Sequence, residues 1–212
     1  MSVPSLISPD ITPTHTPTKP RLAIMASGNG SNFEAIATAI HNQQLNAQIA
    51  LLIYNNPAAG VVQRADRLAI PHQLINHRDY PSRETLDQAI VAALKAHQID
   101  WVIMAGWMRI VTPILTEAYR DRLLNIHPSL LPSFRGHRAI EQALQAGVKI
   151  TGCTVHQVVP EVDAGTIIMQ AAVPIFASDT LETVTERIHQ QEHIIYPRAI
   201  ALALQQTHHL SR

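Results

Sequence analysis

A single cysteine, Cys153, occurs in 212 residues. That excludes an internal disulfide and any zinc site built from several thiolates. Charge is also scarce, since only 15% of the residues are Asp, Glu, Lys or Arg, too few for a coiled coil. The 16 basic and 16 acidic side chains cancel, so no net field draws the chain to nucleic acid or to an anionic membrane. No apolar run approaches the roughly 18 residues of a membrane-spanning helix. What is plentiful is apolar side chain, 46% of the residues, too much for a disordered chain. These limits leave a cytoplasmic enzyme or small-ligand binder, with one large domain or two small ones.

Proline divides the chain unevenly. Five of the fourteen fall in residues 1–20, and each removes a backbone donor and restricts its predecessor. This Pro/Thr-rich arm is expected to be extended and disordered. It holds one basic residue, Lys19, and no long apolar stretch, so a secretory signal is not expected. Residues 21–212 are expected to form a single catalytic domain. Strands are predicted at 21–27, 49–54, 72–75, 101–105 and 123–127. Helices lie between them, most clearly at 83–97, where Leu86, Ile90, Ala93 and Leu94 share a face. Near-continuous apolar strands separated by helices give an α/β fold, an open, mostly parallel twisted sheet with helices on both faces. After a helix at 139–146, further strands are predicted at 151–158 and 167–175. Asp179 and Glu182 have capping-box spacing for a long C-terminal helix. Pro197 should kink or split that helix, because the carbonyl of His193 loses its donor.

Ser27-Gly28-Asn29-Gly30-Ser31-Asn32 lies between the first strand and the first helix. Glycines there let backbone amides approach a ligand, and a helix N-terminus favours an anion. Phe33 stands where a dinucleotide fingerprint needs a small residue, and Tyr54-Asn55-Asn56 lacks its acidic partner. A Walker loop needs lysine where Ser31 stands. Two readings remain: a pocket for one phosphate, with Ser31 and Asn32 as side-chain donors, or an ordinary tight turn.

In the strand Leu123-Leu124-Asn125-Ile126-His127, Asn125 and His127 point to one face and Leu124 and Ile126 to the other. An amide and an imidazole therefore project from the carboxyl end of a strand, where open α/β sheets bind ligands. Such a pair suits an oxyanion developing on a carbonyl, or is simply satisfied by backbone. The turn Pro160-Glu161-Val162-Asp163-Ala164-Gly165 carries an aspartate that would orient His127 and favour its charged form if the fold brings the two together.

Over about residues 21–203, these segments together resemble the folate-dependent formyltransferases. The likeness rests on Ser27–Asn32, Ala105-Gly-Trp-Met-Arg-Ile110, Leu124-Asn-Ile-His-Pro-Ser-Leu-Leu-Pro132, Gly152-Cys-Thr-Val-His156, Asp163-Ala-Gly165 and Gln191-Glu-His-Ile-Ile-Tyr-Pro197. The glycine loop and short chain are similar to the branch acting on glycinamide ribonucleotide. The resemblance implies attack of that amine on the formyl carbon of 10-formyltetrahydrofolate. Asn125 and His127 would stabilise the oxyanion, His127 would protonate the leaving folate, and Asp163 would hold His127 charged and order a relaying water. It places the ribonucleotide phosphate and ribose at Gly30, Ser31, Asn32, His189 and Glu192. It places the folate at Arg83, Met108, Arg109, Ile110, Val111, Asn125, Val159, Pro160, Glu161, Val162 and Asp163. No metal, nucleic acid or membrane partner is implied, and the enzyme would be a monomer or homodimer acting on two small molecules.

The run Arg135-Gly136-His137-Arg138 departs from the Pro-Gly-Leu-His form of that branch and resembles the Arg-Gly of methionyl-tRNA formyltransferases. Gly147-Val-Lys-Ile150 resembles formyltetrahydrofolate hydrolase, which makes hydrolysis on the same scaffold the alternative reading. His189-Gln-Gln-Glu-His193 has the H-x-x-E-H spacing of zinc peptidases, against a plain solvated helix face. A non-catalytic binder that kept the phosphate pocket is the remaining class. Cys153 and Trp101 are read as core, and Trp107 as core or pocket wall.

Overall fold

The computed structural model describes residues 6–10 and 19–210. Eight strands form one sheet: β1 (Leu6–Ser8), β2 (Arg21–Ala26), β3 (Gln48–Tyr54), β4 (His72–Leu74), β5 (Trp101–Met104), β6 (Leu123–His127), β7 (Ile150–Gln157) and β8 (Ile167–Pro174). Six α-helices accompany them: α1 (Ser31–His41), α2 (Val61–Arg67), α3 (Arg83–Ala96), α4 (Pro113–Ala118), α5 (Ala139–Gln145) and α6 (Leu181–Leu210). The order across the sheet is β1-β8-β7-β6-β5-β2-β3-β4. The pairs from β6 through β5, β2 and β3 to β4 are parallel, while β6–β7, β7–β8 and β8–β1 are antiparallel. The expected mostly parallel sheet is present, and β7 and the short β1 run against the other six strands.

Apolar runs set the layering. Leu22, Ile24 and Ala26 of β2 pack into a core shared with α1 and α6, while Ala23 and Met25 pack into a second core with α3 and α4. Each fully buried Leu or Ile contributes roughly 1.5–3 kcal/mol. Helices therefore cover both faces, and Cys153 and Trp101 belong to the first core, as expected. Gly152 is required on β7, since a Cβ there would lie 1.9 Å from the Ala171 carbonyl.

Three details differ from the sequence reading. Helix α6 runs unbroken through Pro197 from Leu181 to Leu210. Ile195, Tyr196, Ala199 and Ile200 are wholly buried on both sides of the proline, so packing against the sheet holds the helix together despite the missing donor. Its cap is Thr180 rather than Asp179: the Thr180 amide donates to Thr183 Oγ1 at 2.9 Å, and the Thr183 amide to Thr180 Oγ1 at 3.4 Å. Asp179 instead pairs with Arg187 through two bonds of 2.8 Å. Finally, Leu6–Ser8 of the arm is not disordered, because it pairs antiparallel with β8 and covers that edge, with Leu6 opposite Ala172 and Ser8 opposite Gln170. Residues 1–5 and 11–18 of the arm lie outside the described residues.

Candidate active site

Strict alternation along β6 builds the centre of the site. Leu124 and Ile126 enter the core under α6, and Asn125 and His127 line a cavity of about 630 Å³ on the other side. Antiparallel β7 repeats the pattern, setting His156 opposite Asn125 and Thr154 opposite His127. The Asn125 amide nitrogen lies 3.2 Å from His156 Nε2, while His156 Nδ1 donates to the Gln157 carbonyl at 2.8 Å. His127 Nε2 donates to the Phe134 carbonyl at 2.8 Å, and its Nδ1 lies 3.3 Å from Asp163 Oδ2. The charged ring satisfies both acceptors at once, since each nitrogen then carries a hydrogen.

The sequence could not supply the distance between Asp163 and His127. The hairpin between β7 and β8 brings the carboxylate across β6, where the Gly136 amide also donates to Oδ2 at 2.8 Å and His156 Nε2 lies 3.6 Å from Oδ1. Burial pushes the Asp163 carboxyl up. Hydrogen bonding from His156 and Gly136, with the charges of His127 and His156, outweighs that and holds it below the usual carboxylate range. Gly165 makes this turn possible, because a Cβ there would meet the Gln157 carbonyl oxygen at 1.8 Å.

Of the folate candidates, Met108, Arg109, Ile110, Val111, Asn125, Val159, Pro160, Glu161, Val162 and Asp163 all line the cavity. Arg83 does not: it is the exposed first residue of α3, one turn from Asp87. Asp87 is buried and accepts from the Thr112 amide at 2.6 Å and the Thr112 hydroxyl at 2.8 Å, anchoring the segment that ends in Val111. Burial raises its carboxyl above the usual range, with the Thr112 hydrogen bonds opposing. Trp107 is both buried and part of the cavity wall.

The ribonucleotide candidates form a separate group at the first turn of α1. Gly30 has φ 78°, and a Cβ there would lie 2.4 Å from Val61 Cγ2, so the tight turn needs glycine. Asn32 is not a free side-chain donor as expected, because its amide nitrogen is turned inward onto Glu192 Oε2 at 2.8 Å. Its Oδ1 is buried without a hydrogen-bond partner. Glu192 is buried too, and burial raises its carboxyl despite Asn32 and the nearby His189. Arg64, which the sequence reading missed, donates to the Asn29 carbonyl at 2.7 Å, pairs with Glu34, and acts electrostatically on His193.

The zinc spacing does not build a ligand set. The His189 and His193 rings stack with centroids 6.5 Å apart, while Glu192 faces Asn32. Among the described residues no three His, Cys, Asp or Glu side chains are grouped to hold a metal. The departing loop has its own role: Arg135 pairs with Glu161 at 3.0 Å, and Gly136 supplies the amide to Asp163. His156 and Thr154 were legible as a Thr-x-His alternation matching Asn-x-His, but the register that joins them was not.

The formyl transferase family model matches residues 20–200. Phosphoribosylglycinamide formyltransferase of Bacillus subtilis is 44% identical over 180 residues, covering 85% of this chain and 92% of that protein. The human trifunctional purine biosynthetic protein adenosine-3 is 45% identical over 184 residues, and this chain spans 87% of itself but 18% of that protein's length. The crystal structure of phosphoribosylglycinamide formyltransferase from Bacillus halodurans superposes with a TM-score of 0.83 at 48% identity, covering 87% of this chain and 94% of that one. The chain belongs to the formyl transferase family.

Proposed function

We propose that this chain transfers the formyl group of 10-formyltetrahydrofolate to the amine of N1-(5-phospho-β-D-ribosyl)glycinamide, a step of purine (IMP) biosynthesis. The observation that carries the reading is the group Asn125, His127 and Asp163, held together at the wall of a cavity large enough for a folate. The activity for which the Bacillus subtilis relative is named supports the same acceptor. The amine nitrogen attacks the formyl carbon, and the carbonyl electrons move to oxygen. One Asn125 amide hydrogen faces His156, and the second is free for that oxyanion. The oxyanion also competes with the Phe134 carbonyl for His127 Nε2–H. As the intermediate collapses, the bond to folate N10 breaks, N10 takes a proton from His127, and the attacking nitrogen releases one to a water ordered by Asp163. Acid–base help of this kind contributes about 10²–10⁴-fold.

Backbone amides at Gly30, Ser31 and Asn32 bind the phosphate, with His189 and Glu192 toward the ribose. The segments 108–111 and 159–163, with Arg83 outside the cavity wall, serve the folate. The reaction runs in the cytoplasm on two small molecules, in a monomer or homodimer. No described helix is long and apolar enough to cross a membrane. The test is loss of 10-formyltetrahydrofolate absorbance with purified chain, with and without the ribonucleotide. Turnover only with the ribonucleotide is expected. Turnover without it means hydrolysis, and none in either case refutes the reading.

A further inference from the structure

We infer that Gln170 is a positioning residue for His127, acting through Thr154 and the loop that follows β6; this rests on the formyl-transfer reading above. Gln170 belongs to β8, two strands from β6. Its amide nitrogen donates to the Leu131 carbonyl at 3.0 Å and to Thr154 Oγ1 at 2.9 Å. The Thr154 hydroxyl donates to the Ser129 carbonyl at 2.7 Å and accepts from the Leu131 amide at 3.1 Å. An amide nitrogen has two hydrogens, and a hydroxyl has one hydrogen and two acceptor positions. All of them are used here. Two side chains from adjacent strands therefore pin three backbone atoms of the loop, and β1 covers the outer edge of β8 at this point, with Ser8 opposite Gln170.

The pinned loop leads directly to the reacting groups. Ser129 Oγ donates to the Ser133 carbonyl at 2.6 Å. The next residue, Phe134, offers its carbonyl to His127 Nε2, and Gly136 offers its amide to Asp163. A shift of residues 129–131 displaces both partners of the imidazole together. Thr154 and Ser129 are buried without exposure, so no water can take over their hydrogen bonds unless the loop opens. Gln170 thereby controls the direction of His127 Nε2–H through the loop, its own hydrogen bonds going to Leu131 and Thr154 and those of the ring to Phe134 and Asp163.

The test compares wild type with Gln170→Met, which keeps the side-chain length and removes both donors. Formyl transfer is expected to lose on the order of 10- to 100-fold in kcat. KM for both substrates stays within about threefold, because uniform binding is untouched. In the ¹⁵N-histidine-labelled protein, the His127 Nε2–H signal should exchange with solvent measurably faster. Loss of stability alone changes neither kcat nor that signal well below the melting temperature. Thr154→Ser, which keeps the hydroxyl, should behave as wild type, and Thr154→Val should repeat the Gln170→Met result. The Thr154 pair decides if Gln170→Met does not fold. Wild-type kcat and an unchanged His127 signal in Gln170→Met and Thr154→Val overturn the inference. Absence of transfer by wild type refutes only the functional reading, and the His127 signal still decides the positioning role.

Discussion

Asp163→Asn tests the charge on the carboxylate without changing its shape. Asp163 Oδ2 accepts from the Gly136 amide at 2.8 Å and lies 3.3 Å from His127 Nδ1. Unit charges at that separation attract by about 5 kcal/mol at an effective dielectric of 20, most of it offset by desolvation. Hydrogen bonds to charged groups are worth about 1.5–3 kcal/mol net, which corresponds to roughly 10- to 160-fold in rate. In the variant the amide oxygen can take the Oδ2 place, keeping the Gly136 bond and still facing His127 Nδ1, while its nitrogen stands at the Oδ1 place, 3.6 Å from His156 Nε2. The contacts are then kept and only the negative charge facing His127 Nδ1 is lost. We expect kcat to fall within that range at neutral pH, with KM for both substrates within about threefold. Because the native carboxyl lies below the usual range, its own titration affects only acidic solutions. The stability it contributes is full above about pH 3.9, the unfolded value, and is lost as pH falls through the lower folded value. Asp163→Asn should flatten that acid limb in denaturation curves. A kcat loss below threefold, or equal losses in kcat and in substrate affinity, refutes the assigned role.

Asp87→Asn should leave stability at pH 7 unchanged or higher, because the folded carboxyl is raised and stability falls as pH climbs from about 3.9 through that value. Asp87→Leu strands the Thr112 donors and should cost about 1–3 kcal/mol per orphaned group in urea denaturation, with a higher KM for folate. Asp179→Ala removes the two-pronged Arg187 pair and should cost about 2 kcal/mol, a fall of roughly 4–8 °C in Tm by calorimetry. The Asp179 carboxyl is held well below its usual range, chiefly by Arg187, so this difference should vanish as pH falls through the acid range. Gly165→Ala must move the turn that carries Asp163, since the Gln157 carbonyl occupies the Cβ position, and steady-state kinetics should show about 10²-fold lower kcat with ribonucleotide KM retained.

What the sequence showed depended on how local its cause is. Period-2 alternation put Asn125 and His127 on one face, and the apolar runs located the seven strands of the body, because both are decided within a few residues. The glycine turn was legible for the same reason, and Gly30 indeed packs against Val61. Nonlocal facts were not. Asn32 was expected as a side-chain donor to an anion, and a glutamate 160 residues later takes a hydrogen bond from its side-chain amide. Pro197 was expected to kink or split a helix, yet the helix runs through it, with burial of the neighbouring turns offsetting the lost backbone bond. The direction of β7, and with it the pairing of His156 with Asn125, follows from packing that no local pattern records.

The sheet order also explains how the glycine loop and the cavity wall can serve the one proposed reaction. The chain leaves β2 toward β3 and β4, then returns to β5 on the opposite side of β2, which opens a crevice at the carboxyl ends of the two neighbours. The glycine loop follows β2, and the wall carrying Trp107 and Met108 follows β5. Two hydrogen bonds join them across the crevice: the Ser27 amide donates to the Gly106 carbonyl at 3.0 Å, and the Met108 amide to the Ser27 side-chain Oγ at 2.9 Å. The loop and the wall are therefore fixed relative to each other. β6 lies directly beyond β5, and Asn125 and His127 line the cavity beside that wall. Holding an amine and a formyl carbon at reacting distance is the largest entropic demand of a two-substrate transfer, worth up to about 7–11 kcal/mol in well-oriented systems. In the proposed reaction that orientation comes from strand order and these two hydrogen bonds, and Asn125, His127 and Asp163 are left to handle charge and protons.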